Sequence, residues 1–181
     1  MRKLALNEIN ESRIAPSKIS KTPRNPVYVL LDNIRSLYNV GSIFRTSDSV
    51  LVEKLILTGI TGKPPRKEID KTALGASETV PWEYYSKATD ALKLLKKNKI
   101  PIIILEHTDS NINYMEMDYP FPCCLVLGNE VYGIQEEILE LADDSIEIPM
   151  YGTKHSLNVS VAFGIVIYEI IGQYLKKLKQ K

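Results

Sequence analysis

After Pro26 the chain alternates short apolar runs with stretches of helical spacing. PVYVLLD (26–32) and KLILTGI (54–60) are β-rich, and PIIILE (101–106) and CCLVLGN (123–129) are continuous apolar runs of strand length. SIEIPM (145–150) reads as a last short strand. Between them, SLYNVGSIFRTSDSVL (36–51) places Val40, Ile43, Phe44 and Val50 at helical spacing. KATDALKLLKKNK (87–99) predicts an amphipathic helix stopped near Asn98, and IQEEILELADD (134–144) predicts another. SLNVSVAFGIVIYEIIGQYLKKL (156–178) predicts a long closing helix, and the polar stretch 62–81 reads as turns. Strands apolar on both faces, alternating with helices, predict an α/β fold with a parallel sheet covered on both sides. In such sheets ligands bind beyond the carboxyl ends of the strands, so the polar residues that follow strands carry the functional interest.

Composition sharpens this picture only locally. The 181 residues are 44% hydrophobic and 25% charged, ordinary values for a globular domain, and the net charge of +1 gives no whole-protein attraction to nucleic acid or membrane. Residues 1–26 differ: six Lys/Arg stand against two Glu, with prolines at 16, 23 and 26. They read as a basic extension with one helical piece around Leu4 to Ile14, ahead of a single domain over 27–181. A solvated arm and an RNA-contacting arm both fit that composition. The N-terminal stretch has no apolar core or small-residue cleavage site, and the apolar runs are too short or interrupted to span a bilayer. The expected compartment is the cytoplasm. Cys123 and Cys124 are adjacent and open an apolar run, so they read as buried strand residues rather than a disulfide or metal pair.

Three polar clusters follow strands. NVGSIFRT (39–46) offers Asn39 as a cap for the following helix, Gly41 for close backbone approach, and Arg45 among apolar neighbours. Arg45 on its own reads equally as a salt-bridged structural residue. LGNEVYGI (127–134) sets Glu130 between two glycines at the end of an apolar strand; such a turn can leave N–H groups free for a ligand, with Gly133 opening the next helix. IPMYGTKHSLNVS (148–160) has a Pro149/Gly152 turn, with Ser156 or Asn158 as the cap of the closing helix. His155, without a partner in sequence, is a weak candidate base. No GxGxxG, Walker loop, zinc spacing or nucleophile elbow is present, which disfavours a dinucleotide-dependent dehydrogenase.

Together, and in this order, the clusters resemble the three motifs of the SpoU (TrmH) family of SPOUT RNA methyltransferases. KTALGASETVPW (71–82) resembles the family's linking segment, and the likeness covers about residues 27–175. The resemblance implies a C-terminal deep trefoil knot, an exception to the rule that chains avoid knotting. It implies S-adenosylmethionine held by Leu105 and Glu106, by Leu127, Gly128 and Asn129, and by Ile148, Met150, Ser156 and Leu157. It implies transfer of a methyl group to a ribose 2′-hydroxyl of tRNA or rRNA, with no metal and no membrane. Arg45, Asn39, Glu130, Ser156 and Asn158 are the implied catalytic residues. Arg45 acts there as a proton acceptor or as a cation holding the neighbouring phosphate, and a guanidinium holds its proton too strongly to favour the first. Glu130 fixes Arg45 or the loop; Ser156 touches cofactor or substrate. The family's homodimer through the last helix is implied too, with each site completed by the partner, and the line Leu157, Val161, Ile165, Tyr168, Ile171, Leu175 fits a helix with more than one face to bury. Arg24, Arg35, Arg66, Lys67 and Lys154, together with Lys63, are candidate RNA contacts. Tyr132 departs from the small or basic residue usual in the second motif, and no folded N-terminal RNA-binding domain is evident. An RNA-binding member without transfer activity, and base rather than ribose methylation, are the alternatives.

Overall fold

The structure is a computed structural model that describes residues 1–11 and 13–180; Ser12, within the expected helical piece of the extension, and Lys181 lie outside the described residues. Seven strands form one sheet in the order β3-β2-β1-β6-β4-β7-β5. They are β1 Asn25–Asp32, β2 Val52–Thr58, β3 Trp82–Tyr85, β4 Ile102–Leu105, β5 Ile112–Asn113, β6 Cys123–Leu127 and β7 Asp144–Glu147. Every pairing is parallel. Strand geometry sends alternate side chains to opposite faces, and the apolar runs feed both. On one face Val27, Val29 and Leu31 of β1 and Cys123, Leu125 and Leu127 of β6 join one core cluster. On the other, Leu30, Cys124 and Val126 join a second.

The first face is covered by α2 Leu37–Ser49, α3 Lys67–Ala73, α4 Ala76–Thr79 and α7 Val159–Lys179; the second by α5 Ala88–Lys97 and α6 Glu136–Leu139. α1 Leu6–Glu11 and a 3-10 turn at Pro16–Lys21 precede the sheet. α2 buries Val40, Ile43 and Phe44 as its spacing predicts. Its cap is Ser36, whose hydroxyl accepts from the Asn39 N–H at 3.3 Å, so Asn39 sits inside the first turn rather than at the cap. Gly41 gives close approach to α3, where an added Cβ would strike Thr72 and the Ile69 carbonyl, not to a ligand.

The polar stretch 62–81 contains two short helices that periodicity does not reveal. α3 buries only Ile69 and Ala73, α4 only Ala76, and a left-handed pair, Leu74 at φ 50° and Gly75 at φ 90°, separates them. Asn98 does end α5, while the helix expected over 134–144 is one turn of four residues. α7, at 21 residues, is long and apolar enough by length and composition to cross a membrane, although its runs read as too interrupted in the sequence. Phe163, Val166, Ile167 and Ile170 lie fully in the protein core, whereas Val161, Tyr168 and Leu175 are about half exposed, at 50%, 57% and 46%.

Candidate active site

The chain winds outward from β1 through β2 to β3, then returns to the other side of β1 to lay down β4, β6 and β7. The crevice at such a reversal is where parallel α/β sheets bind ligands. A cavity of about 260 Å³ lies beside the reversal, on its second side, at the carboxyl ends of β4, β6 and β7. Its wall includes Leu105, Glu106, Leu127, Gly128, Asn129, Ile148, Met150, Ser156 and Leu157, all nine residues that the family resemblance assigns to a cofactor. His107, Glu130, Glu147 and His155 line it as well.

The turn after β6 is built differently from a ligand-facing amide nest. Asn129 and Gly133 form a small antiparallel bridge, N–H to carbonyl at 3.0 and 2.9 Å. The Asn129 side-chain oxygen accepts from the Val131 and Tyr132 N–H groups, and its amide donates to the Asn33 carbonyl at 2.7 Å. Ile134 N–H donates to Glu106 at 3.0 Å. The turn's amides are therefore used internally. Gly133, at φ +66°, closes this turn against the Glu106 carboxylate instead of opening α6, whose cap is Gln135. Gly128 is required for packing: a Cβ there would lie 2.5 Å from the Gly133 carbonyl carbon and oxygen.

One hydrogen-bonded line joins the three motif segments. Glu130 accepts from the Arg35 N–H at 2.9 Å, the Ser36 N–H at 3.1 Å and the Asn39 amide at 2.9 Å. Asn158 donates to the Asn39 side-chain oxygen at 3.1 Å, and its own oxygen caps α7 through Ser160 and Val161. The α7 cap is thus Asn158, not Ser156. Glu130 fixes the loop before α2 and does not touch Arg45. Partial burial pushes its carboxyl up, but the Arg35, Asn39 and Ser36 donors outweigh that and hold it below the ordinary value.

On the β4/β7 side, sequence reasoning passes over two groups. His107 contacts Glu147 through Nδ1 at 3.0 Å and the His155 carbonyl through Nε2 at 2.9 Å. The signal available was position alone, since both His107 and Glu147 directly follow or end an apolar strand run.

The remaining site residues lie elsewhere. Arg45 is exposed on α2, outside the cavity wall, and makes no hydrogen bond or ion pair with any described residue, which removes the salt-bridged reading within this chain. Close by on the same helix, Ser49 meets the Tyr168 hydroxyl of α7 at 3.1 Å. Arg24 uses its guanidinium on the Val52 and Thr79 carbonyls at 3.1 and 2.6 Å, so it pins the entry to β1 and is not a free RNA contact. Arg35, Arg66, Lys67 and Lys154 are exposed. Lys63 sits over the Tyr84 ring, 3.8 Å from its centre.

Residues 26–168 match the SpoU rRNA Methylase family. The chain is 37% identical over 144 residues to the tRNA (guanosine(18)-2'-O)-methyltransferase of Aquifex aeolicus, covering 78% of this chain and 66% of that protein. In structure it superposes on the A. aeolicus TrmH/SpoU tRNA modifying enzyme with a TM-score of 0.81 at 33% identity, over 90% of this chain and 82% of that one. It superposes on an AdoMet-bound rRNA methyltransferase from Sinorhizobium meliloti with a TM-score of 0.75 at 28% identity, over 87% and 60%. A parallel sheet with the site beside its reversal, three motif segments joined by Glu130, Asn39 and Asn158, and these likenesses agree: the chain belongs to the SpoU rRNA methylase family, whose members use S-adenosylmethionine.

Proposed function

We propose that this chain transfers the methyl group of S-adenosylmethionine to a ribose 2′-hydroxyl of tRNA or rRNA. The observation that carries the reading is the convergence on one cavity of nine residues from three loops far apart in sequence. The cavity suits the cofactor chemically: Leu105, Leu127, Ile148, Met150 and Leu157 give apolar walls for an adenosine, and the carboxylates of Glu106 and Glu130 favour a cationic sulfonium. When bound, S-adenosylmethionine supplies an activated methyl on a good leaving group. The work left to the protein is to align a poorly nucleophilic hydroxyl and help it lose a proton. Alignment can contribute about 7–11 kcal/mol at best, and a positioned proton acceptor about 10²–10⁴-fold. The Glu130–Asn39–Asn158 line holds the mouth of the cavity rigid for that purpose, with Ser156 on its rim.

Arg45 enters this scheme from a second copy. Val161, Tyr168 and Leu175 form an exposed apolar line on α7, and the Ser49–Tyr168 contact places the Arg45 face of α2 beside it. A homodimer through this face carries an unpaired guanidinium toward the partner's cavity, where it holds the phosphate next to the target ribose and stabilises the developing alkoxide. The same reading takes the C-terminal segments as a deep trefoil knot, supported by the packing of α7, which follows β7, against α2. It takes 27–181 as the methyltransferase domain and 1–26 as a basic extension, and places the enzyme with its RNA in the cytoplasm. Arg35, Arg66, Lys67 and Lys154 are the RNA contacts it assigns.

The test is methyl transfer from labelled S-adenosylmethionine to total tRNA and rRNA, followed by a synthetic target with a single 2′-deoxy nucleotide at the labelled position. Loss of label on the deoxy target is expected. Retained label means base methylation, and cofactor binding without any labelling means an RNA-binding member that does not transfer.

A further inference from the structure

We propose that His107 is a positioning residue that seats the 149–157 loop against the cofactor cavity by donating from both ring nitrogens at once. Among the described residues, residues 149–157 make a single hydrogen bond, from the His107 ring to the His155 carbonyl at 2.9 Å. Four of the residues lining the cavity, Met150, His155, Ser156 and Leu157, belong to that loop. The loop runs free from the end of β7 until Asn158 caps α7, and one imidazole fastens its far half.

The geometry also states which form of the imidazole does this. Nδ1 faces the Glu147 carboxylate at 3.0 Å and Nε2 faces a carbonyl, and neither partner can donate. A neutral ring carries one N–H and satisfies one of them; only the imidazolium satisfies both. Glu147 is held still for its role, since Asn111 donates to the same carboxylate at 3.0 Å. Asn111 is fixed in turn by the Thr108 N–H and the Ser145 hydroxyl. Glu106 anchors the other side, accepting from the His107 N–H at 2.8 Å. The charged and titratable groups facing the ring are therefore Glu147 from β7, Glu106 from the end of β4, and His155 from the loop. The Glu147 hydrogen bond and then the His155 carbonyl raise the His107 pKa against a smaller opposing effect of partial burial, and the charges of Glu147 and Glu106 add to the rise.

The sign follows: a raised value means that the latch is fully made at acidic pH and released as pH climbs through it. The assignment of the cavity to S-adenosylmethionine comes from the proposed function, but the latch can be read without any cofactor. Tryptic cleavage after the exposed Lys154, divided at each pH by the rate for a free peptide of the same sequence, is followed in the full-length protein between pH 6 and pH 9. Slow relative cleavage at pH 6 that speeds up toward pH 9 is expected, and His107→Ala is expected to be cleaved fast at both. Calorimetry with S-adenosylmethionine should show binding at pH 6 weakened about 2- to 12-fold by His107→Ala, the span of one net hydrogen bond. Wild-type affinity should converge on the variant's at pH 9. His107→Gln, with a single donating nitrogen in place of two, should be pH-independent and intermediate. Should either variant fail to fold, the wild-type pH series decides alone. Relative loop cleavage that does not change with pH overturns the latch. Loop cleavage that titrates in a protein that binds no S-adenosylmethionine supports the latch and refutes the cofactor reading.

Discussion

Replacing Gly128 with alanine tests whether the turn after β6 must stay closed for the cavity to work. The new Cβ would lie 2.5 Å from the Gly133 carbonyl carbon and oxygen, where ordinary contact starts at 3.4 Å, so the Gly133 peptide must retreat by about 0.9 Å. The two bridge hydrogen bonds between Asn129 and Gly133, now 3.0 and 2.9 Å, would stretch to nearly 4 Å and cease to count. At about 0.5–1.5 kcal/mol each, their loss costs the turn about 1–3 kcal/mol. If binding the cofactor requires the turn to close, that cost appears as a loss of affinity of about 5- to 150-fold. Calorimetry with S-adenosylmethionine reads the affinity, and thermal melting verifies that the sheet is intact. Gly152→Ala is the control, because nothing lies within 4 Å of a Cβ there. Affinity for Gly128→Ala within twofold of wild type, with an unchanged melt, would refute the reasoning.

Other expectations are more direct. Arg45→Ala should cut methyl transfer sharply while leaving cofactor affinity near wild type, because the side chain lies outside the cavity wall; parallel loss of binding would sink its assigned role. Glu130→Gln removes one of the acceptors facing the Arg35 N–H, the Ser36 N–H and the Asn39 amide. Because the folded carboxyl is held below the ordinary carboxylate value, its contribution is present above that value and lost as pH falls through the lower folded one. Cofactor binding by the wild type should therefore show an acid limb below about 4.5 that Glu130→Gln lacks. Burial pushes the Cys123 thiol up to about 12 and raises Cys124 as well, so alkylation at pH 8 should modify neither until the protein is unfolded, and then both.

The sheet was legible because its central strands are short runs apolar on both faces, a pattern that fits a doubly covered strand once length and flanking turns set it apart from a buried helix. β1, β2, β4 and β6 can be located that way; β7, with one apolar residue in DSIE, and β5, two residues long, cannot. α3 and α4 bury too few side chains to leave a period, and Leu74 adopts a left-handed conformation that its residue type gives no hint of. Within the site, the composition of the cavity wall followed from motif likeness, but its wiring did not. Ser36, Asn39, Ser156 and Asn158 are all competent caps, and which of them caps depends on where the chain leaves the sheet. The glycines around Glu130 looked like a ligand nest because sequence does not reveal that Asn129 and Glu106 already occupy those amides. His107 and Glu147 are invisible as a pair, since they lie 40 positions apart and meet only because β4 and β7 are neighbours.

The line from Glu130 through Asn39 to Asn158 joins positions separated by 91 and 119 residues in the chain. No fragment shorter than most of the domain can contain it, and no single motif transplanted into another scaffold would bring its partners along. Occupancy of the cavity therefore becomes a reporter of completed long-range folding. In a refolding experiment, cofactor binding should rise last, after the sheet has formed, and a chain whose last helix has not reached α2 should carry all three motifs and bind nothing.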